Sequence, residues 1–175
     1  MKKVEVVPHD RRWRDAFEAE AKEIAAALDG TVVAIHHIGS TAIPDIHAKP
    51  VVDVLVELGD LGEADRRSAA MEALGYEVMG EFGLPGRRYF RKDDERGTRT
   101  HQVHAFEAGS AEAARHLAFR DYMIAHSDDA RRYGELKRKL AAEHPHDSEA
   151  YMDGKDSFIK EMERRAAQWR ASHPV

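Results

Sequence analysis

Residues 36–44 read HHIGSTAIP and residues 51–58 read VVDVLVEL, and these two stretches decide the fold. The first ends a run rich in β-branched residues, which predicts a strand that stops at a Gly-Ser pair. In the second, alternation at period two places Asp53 on one face with Leu55 and Glu57, and four apolar side chains on the other. A strand that is apolar on both faces is typically central in its sheet. The pattern therefore predicts a central strand that carries a carboxylate.

The composition of the chain excludes several classes of protein. Its 175 residues include 27 Lys and Arg against 32 Asp and Glu, and this net charge of −5 lacks the basic excess typical of duplex binding. It has no cysteine, which excludes disulfides, thiolate metal sites and a cysteine nucleophile. No apolar run has the length of a membrane span or a signal peptide. We therefore expect no duplex nucleic acid or membrane partner, and a cytoplasmic location.

The distribution of predicted elements divides the chain into two parts. Strands and helices alternate over residues 1–109, and residues 110–175 carry only helical patterns. This order predicts an α+β fold, with a mixed β-sheet core followed by a helical C-terminal cap. No linker separates the parts, so we expect a single domain over residues 1–175.

The Gly39-Ser40 pair has the chemistry of a phosphate-binding turn. Glycine lets a backbone approach a phosphate closely, and the hydroxyls of Ser40 and Thr41 add donors. Lys49 adds a positive charge, and Asp53 is a ligand for a hard cation such as Mg²⁺. Phosphoryl transfer needs this combination. The structural alternative is an ordinary turn followed by an architectural acid.

Five sequence blocks resemble the GrpB-like family, a group of bacterial proteins placed in the nucleotidyltransferase superfamily. The blocks are His37–Ala42, Ala48–Asp53, Arg99–His104, Phe119–Tyr122 and Gly154–Ile159. The resemblance implies a nucleotidyltransferase-like sheet core. It also implies a site for a nucleoside triphosphate and a divalent metal, in a cleft between sheet and cap.

The superfamily pattern has a Gly-Ser pair, then a strand with two acids at alternate positions. By that resemblance Gly39 and Ser40 bind phosphate, and Asp53 is the first metal ligand. The second acid should fall at position 55, where this chain has Leu55. Glu57 is on the same strand face but about 7 Å further along. A two-metal mechanism is therefore in doubt.

A third ligand should come from the predicted strand over residues 99–107. Period two places His101 on one face and Gln102 and His104 on the other, so both histidines reach one site only across a β-bulge. Imidazole favours transition metals, which makes Zn²⁺ the alternative to Mg²⁺ or Mn²⁺. A histidine that hydrogen-bonds the substrate and a structural histidine are the other interpretations. The candidate metal ligands are Asp53, Glu57, His101 and His104, and the candidate catalytic pair is Asp53 and His104.

Two cations further along the chain are candidates for binding the remaining phosphate charge. Lys155 falls on the apolar face of the last predicted helix, four residues after Tyr151 and three before Phe158. It either pairs with Asp121 as part of the architecture or meets a phosphate. Arg88 is a candidate anion clamp, although such arginines are more often a solvated face.

Three hypotheses follow. The first is a nucleotidyltransferase-superfamily protein that binds a nucleotide and a divalent metal, with an unknown acceptor. The second is a catalytically degenerate nucleotide- or phosphate-binding accessory module, favoured by Leu55. Relatives fused to a coenzyme A biosynthetic kinase imply, by resemblance, an association with coenzyme A biosynthesis. The third is a metal hydrolase built on His101, His104 and Asp53.

Overall fold

The computed structural model describes residues 2–175 and confirms the α+β fold. Within that range the chain forms six α-helices, five β-strands and one 3₁₀ turn at Ser40–Ala42. The helices are α1 (Arg12–Ala27), α2 (Leu61–Arg66), α3 (Ser68–Ala73), α4 (Ala111–Ala125), α5 (Ser127–Glu143) and α6 (Ser148–Ser172). The strands are β1 (Val32–Ile38), β2 (Val52–Leu58), β3 (Glu77–Val78), β4 (Arg88–Asp93) and β5 (Arg99–Glu107).

The chain forms two compact units whose boundaries differ from the division predicted at residue 109. The sheet unit consists of residues 11–39 and 51–114, and the helical unit of residues 2–10, 40–50 and 115–175. Backbone hydrogen bonds explain why two early segments join the helical unit. Val7 and Ala48 exchange N–H···O bonds of 2.9 Å, and the Val4 N–H donates to the Pro145 carbonyl at 2.7 Å.

The sheet unit is built on a mixed five-stranded sheet in the order β1-β2-β5-β4-β3. Strands β2 and β5 are parallel, and the other neighbouring pairs are antiparallel. Strand β2 has a neighbour on both sides, which confirms the prediction from its apolar pattern. Leu55 lies between His36 of β1 and His104 of β5, and Asp53 lies beside Gln102 of β5.

The two faces of this sheet carry different residues. Helix α1 covers one of them, where Phe17 stacks on His37 with ring centroids 4.9 Å apart. Residues side by side in neighbouring strands point to the same face. Asp53, Gln102 and His104 therefore share the opposite face, which we call the acid face; the other is the helix-covered face.

The helical unit contains a small apolar cluster of Val4, Leu140 and Tyr151, and it contains a larger apolar cluster. Its buried members are Ile43, Ile46, Ala118, Tyr122, Met123, Ala130, Tyr133, Met162 and Ala166. Gly154 of α6 faces Leu140 of α5, and a Cβ there would lie 2.5 Å from Cδ2 of Leu140, so this leucine would have to move. None of the helices over residues 2–175 combines the length and apolar character that crossing a bilayer demands.

Candidate functional site

Gly39 leaves room for the carboxylate of Asp53. The residue follows β1 with a φ of +72°, and a Cβ built on it would lie 2.6 Å from Oδ2 and 3.1 Å from Cβ of Asp53. Real Cβ atoms essentially never come that close to another heavy atom. The glycine of the Gly-Ser pair is therefore needed for a positive φ and for the packing of Asp53 against this turn.

Asp53 is paired with His104 on the acid face. Nε2 of His104 lies 3.3 Å from Oδ1 of Asp53, and the side chains are 14% and 26% exposed. The ring of Tyr89 packs beside the imidazole, with centroids 5.3 Å apart. Burial raises the pKa of Tyr89, and the charge of Asp53 adds to that rise while Arg99 opposes it. The acid face thus holds a carboxylate–imidazole pair in a partly buried setting.

Leu55 and Glu57 do not extend this pair into a larger acidic cluster. Leu55 is fully buried at the position where the superfamily pattern has its second acid. Oε2 of Glu57 lies 2.8 Å from Nε2 of His36. Since His36 and His104 flank Leu55 in neighbouring strands, the acid face carries two separate carboxylate–imidazole pairs, one toward each end of β2.

His101 lies on the helix-covered face, away from Asp53. The register from His101 to Glu107 is continuous, so no bulge brings this residue round to the acid face. Its Nε2 lies 3.9 Å from Oε2 of Glu20, and burial lowers the pKa of His101. The proposed hydrolase set of His101, His104 and Asp53 is therefore not brought together.

The residues present do not fit the two-metal site of the superfamily pattern. Across residues 2–175 the structure places no group of three or more His, Cys, Asp or Glu side chains suitably for a metal ion. Of the four predicted metal ligands, only Asp53 and His104 are adjacent, because Glu57 turns to His36 and His101 points to the other face.

Arg88 is also on the helix-covered face, so the structure does not bring it together with Asp53. Its neighbour Tyr89 pairs with His104, and period two sends Arg88 to the opposite side. There it forms two hydrogen bonds, of 2.7 and 3.2 Å, with the carboxylate of Asp65 in α2.

Three lysines of the helical unit each lie against a tyrosine ring. Nζ of Lys49 lies 4.4 Å from the ring centroid of Tyr151, and Nζ of Lys155 lies 4.9 Å from the same centroid. Nζ of Lys137 lies 4.9 Å from the ring centroid of Tyr133. We call Lys49, Lys137 and Lys155 the lysine cluster. Their positions near aromatic faces are typical of cation–π contacts.

Ser40 is tied to the lysine cluster, since Nζ of Lys137 donates a hydrogen bond to its hydroxyl. Thr41 follows in the 3₁₀ turn and is buried. Three of the predicted phosphate ligands, Ser40, Lys49 and Lys155, thus belong to the helical unit, and each contacts another residue of that unit.

Lys137 is the residue that sequence reasoning missed. The basic run in its helix predicts an exposed mixed-charge face, yet Lys137 is only 4% exposed. The sequence does contain a signal for this burial. Lys137 follows Tyr133 by four residues and precedes an apolar residue by three, and Lys155 has the same spacing from Tyr151 and Phe158. At helical spacing both patterns place the lysine on the buried face.

Asp121 is engaged by arginines. Its carboxylate accepts hydrogen bonds from Arg120 at 2.8 Å and from Arg170. Two arginines thus bridge this carboxylate.

Comparisons with known proteins agree on one family. A model of the GrpB protein family matches residues 3–165. The crystal structure of the conserved protein GrpB from Enterococcus faecalis superimposes with a TM-score of 0.89 at 41% identity, over 94% of this chain and 98% of that one. The UPF0157 protein YqkA of Bacillus subtilis is 41% identical over 97% of this chain.

Some relatives are longer than this chain. The match covers 49% of the Bacillus subtilis protein. A dephospho-CoA kinase of Mycolicibacterium paratuberculosis is 25% identical over 97% of this chain and 47% of that protein. The chain thus spans about half the length of these two relatives. Because the family model spans almost the whole sequence and the Enterococcus structure superimposes throughout, the chain belongs to the GrpB protein family.

Proposed function

We propose that this chain is a nucleotide-binding protein of the nucleotidyltransferase superfamily, with the Asp53–His104 pair as its reactive centre. The observation that carries the proposal is the fixed position of the Asp53 carboxylate, packed on Gly39 and 3.3 Å from His104. A carboxylate that orients an imidazole is a recurrent general-base arrangement.

The proposed chemistry is transfer of a nucleotidyl group to an acceptor hydroxyl. In this proposal the Asp53–His104 pair takes up the proton of the acceptor hydroxyl. The acceptor oxygen forms a bond to the α-phosphorus. The bond from that phosphorus to the bridging oxygen breaks, and its electron pair leaves with pyrophosphate.

The phosphates of the nucleotide are assigned to the Gly-Ser turn and its neighbours. Gly39, Ser40 and Thr41 supply the turn, and Lys49 and Lys155 supply positive charge. We further propose that a divalent cation, Mg²⁺ or Mn²⁺, arrives with the phosphates and uses Asp53 as its single carboxylate ligand. Zn²⁺ is the alternative because an imidazole lies beside that carboxylate.

Titration calorimetry with the four nucleoside triphosphates, in the presence of Mg²⁺, Mn²⁺ or Zn²⁺, tests the proposal. We expect Asp53→Asn to weaken binding of the metal–nucleotide complex at least tenfold. Asp65→Asn is the matched control, since it makes the same chemical change in helix α2, beside Arg88 of the helix-covered face. A wild-type chain that binds neither nucleotide nor metal, or an Asp53→Asn variant that binds both normally, would overturn it.

The second candidate is a catalytically degenerate accessory module that binds a nucleotide or phosphate. The buried Leu55 at the second-acid position favours it. The match to a dephospho-CoA kinase suggests, as a proposal, that such a module serves coenzyme A biosynthesis. A transfer assay with nucleotides labelled at the α-phosphate separates the candidates, because a module binds the nucleotide and releases no pyrophosphate.

A further inference from the structure

We propose that the acceptor of this transfer carries a planar aromatic ring and that this ring stacks on the exposed phenyl group of Phe82. The inference rests on the proposed function and deepens it by giving the chemical class of the acceptor and the residue that binds it. The contacts that support it lie within the sheet unit, in a row of rings that runs from Phe82 to His104.

Phe82 presents its ring to solvent, although phenylalanine is most often a core residue. Its exposed fraction is 55%, and no other phenylalanine, tyrosine or tryptophan of residues 2–175 is exposed. Its φ of +47° lies in the left-handed region, which bulky side chains rarely adopt. Both features oppose folding, so they point to a role of this ring in binding and not in packing.

Hydrogen bonds fix Phe82 within the loop over residues 79–87, which joins β3 to β4. The guanidinium of Arg87 donates to the carbonyls of Glu81 and Phe82, at 3.2 and 2.8 Å. The backbone N–H of Gly86 donates to the carboxylate of Glu81 at 2.6 Å. The exposed ring therefore stands on a pre-organised loop, which lowers the entropic cost of binding a ligand to it.

The ring of Phe82 is the accessible end of a row of rings that leads to the reactive pair. It stacks on Tyr89 with centroids 5.3 Å apart and an interplanar angle of 24°. The ring of Tyr89 lies 5.3 Å from the imidazole of His104, and His104 contacts Asp53. Because Tyr89 is buried, a ligand ring can join this row only on Phe82.

Strand order separates this row from the turn assigned to the phosphates of the nucleotide. Gly39 follows β1 and packs against Asp53 of β2. His104 lies in β5, on the other side of β2, and Tyr89 lies beyond it in β4. A nucleotide at Gly39 and a ring at Phe82 would thus reach the reactive pair from opposite directions across the sheet. Transfer between two substrates needs this arrangement, so the ring is assigned to the acceptor.

Two guanidinium groups beside the row favour a heteroaromatic ring over a purely apolar one. Cζ of Arg91 lies 5.8 Å from the centroid of Phe82, and Cζ of Arg87 lies 4.9 Å from that of Tyr89. Two hydrogen bonds to Glu77, of 2.7 and 3.1 Å, hold Arg91. Guanidinium N–H groups donate to ring nitrogens and carbonyl oxygens, which nucleobases carry. Other heteroaromatic rings share this chemistry, and the experiment separates them.

Nuclear magnetic resonance titration of the full chain with adenosine, in EDTA and without triphosphate, tests the inference. We expect the ring proton resonances of Phe82 to shift with adenosine, whereas ribose, which lacks the base, should cause no shift. Phe82→Leu keeps an apolar side chain but has no aromatic face, so it should weaken adenosine binding at least fivefold. Phe82→Trp should bind at least as tightly as the wild type. Met152→Leu is the matched control, because it also changes an exposed apolar side chain and should leave binding unchanged.

Parallel titrations with uridine and L-tryptophan identify the kind of ring. Tighter binding of both nucleosides assigns the site to a nucleobase, whereas tighter binding of the indole assigns it to another aromatic acceptor. Calorimetry with Mg²⁺ and ATP separates the acceptor from the transferred nucleotide. Phe82→Leu should leave the affinity for Mg²⁺–ATP within twofold of the wild type.

The inference is overturned if adenosine binds no better than ribose or if Phe82→Leu binds adenosine like the wild type. It is also overturned if Phe82→Leu weakens Mg²⁺–ATP binding as much as adenosine binding, because the ring then belongs to the transferred nucleotide. Mg²⁺–ATP binding that needs Asp53, with no effect of Phe82→Leu on adenosine, removes only this inference. Adenosine binding that needs Phe82, in a chain that binds no Mg²⁺–ATP, removes the proposed function and leaves the ring site.

Discussion

Gly39→Ala should damage the candidate site more than any other single methyl group added to a strand end of the sheet unit. The new Cβ would meet Oδ2 of Asp53 at 2.6 Å and its Cβ at 3.1 Å. Rotation of the carboxylate can relieve the first overlap. It cannot relieve the second, because the Cβ of Asp53 is fixed to the backbone of β2. The variant must therefore shift one of the two backbones.

The expected loss of stability has two parts. An alanine at a φ of +72° costs about 1–2 kcal/mol, as for other non-glycine residues in the left-handed region. Displacing Asp53 from His104 removes a hydrogen bond to a charged group, worth about 1–2 kcal/mol at a partly exposed site. We expect the free energy of unfolding to fall by about 2–4 kcal/mol.

Gly109→Ala is the matched control for the backbone part. Gly109 follows β5 with a φ of +76°, and a Cβ added there meets no atom within 4 Å. Urea unfolding followed by circular dichroism should show a loss of only about 1–2 kcal/mol for this variant. The difference between the two glycine variants measures the collision with Asp53.

A double-mutant cycle then assigns the excess to a single contact. An Asp53→Ala background keeps the Cβ overlap but removes the carboxylate and its contact with His104, so Gly39→Ala should cost at least about 1 kcal/mol less there than in the wild type. The imidazole proton resonances of His104 should move in Gly39→Ala and stay in Gly109→Ala. Equal losses for the two glycine variants, or strict additivity in the cycle, would refute the packing of Asp53 on this turn.

Three further predictions concern parts of the chain outside that contact. Gly154→Ala should lower the free energy of unfolding by about 1–3 kcal/mol by pushing the new Cβ into Leu140, and additional truncation of Leu140 to alanine should remove most of that steric cost in thermal melts. The folded-state pKa of His101 is lowered by burial, so protonation opposes folding and stability falls as the pH drops below about 6.5; His101→Gln should flatten that part of a stability–pH profile. Arg88→Gln should cost less than about 1 kcal/mol, because its partner Asp65 is largely exposed, and should leave nucleotide affinity within twofold in calorimetry.

Period two was sufficient to predict which strand residues share a face, but it could not say which face helix α1 covers. The separation of His101 from His104 follows from sequence spacing alone, and the register confirms it. The placement of Arg88 on the helix-covered face could not be predicted, because it depends on which face the helix covers. The identity of that face depends on tertiary contacts such as Phe17 on His37, which no local pattern contains.

The lysine cluster shows a second limit of local reasoning. The sequence indicates that Lys155 is buried, because it is a charged residue on the clearly apolar face of its helix. Lys137 has the same spacing from a tyrosine but lies within a run of charged residues, so average polarity concealed its burial. A position-by-position comparison of the two helices would have found it, whereas a composition window could not.

Leu55 limits the negative charge that the acid face carries. A second carboxylate at this position would stand between His36 and His104, beside Asp53, and would concentrate the negative charge that attracts a second cation. With a buried leucine at this position, Asp53 and Glu57 are the two acids of this face of β2, and each is paired with one imidazole. The acid face is thereby suited to proton transfer more than to holding cations.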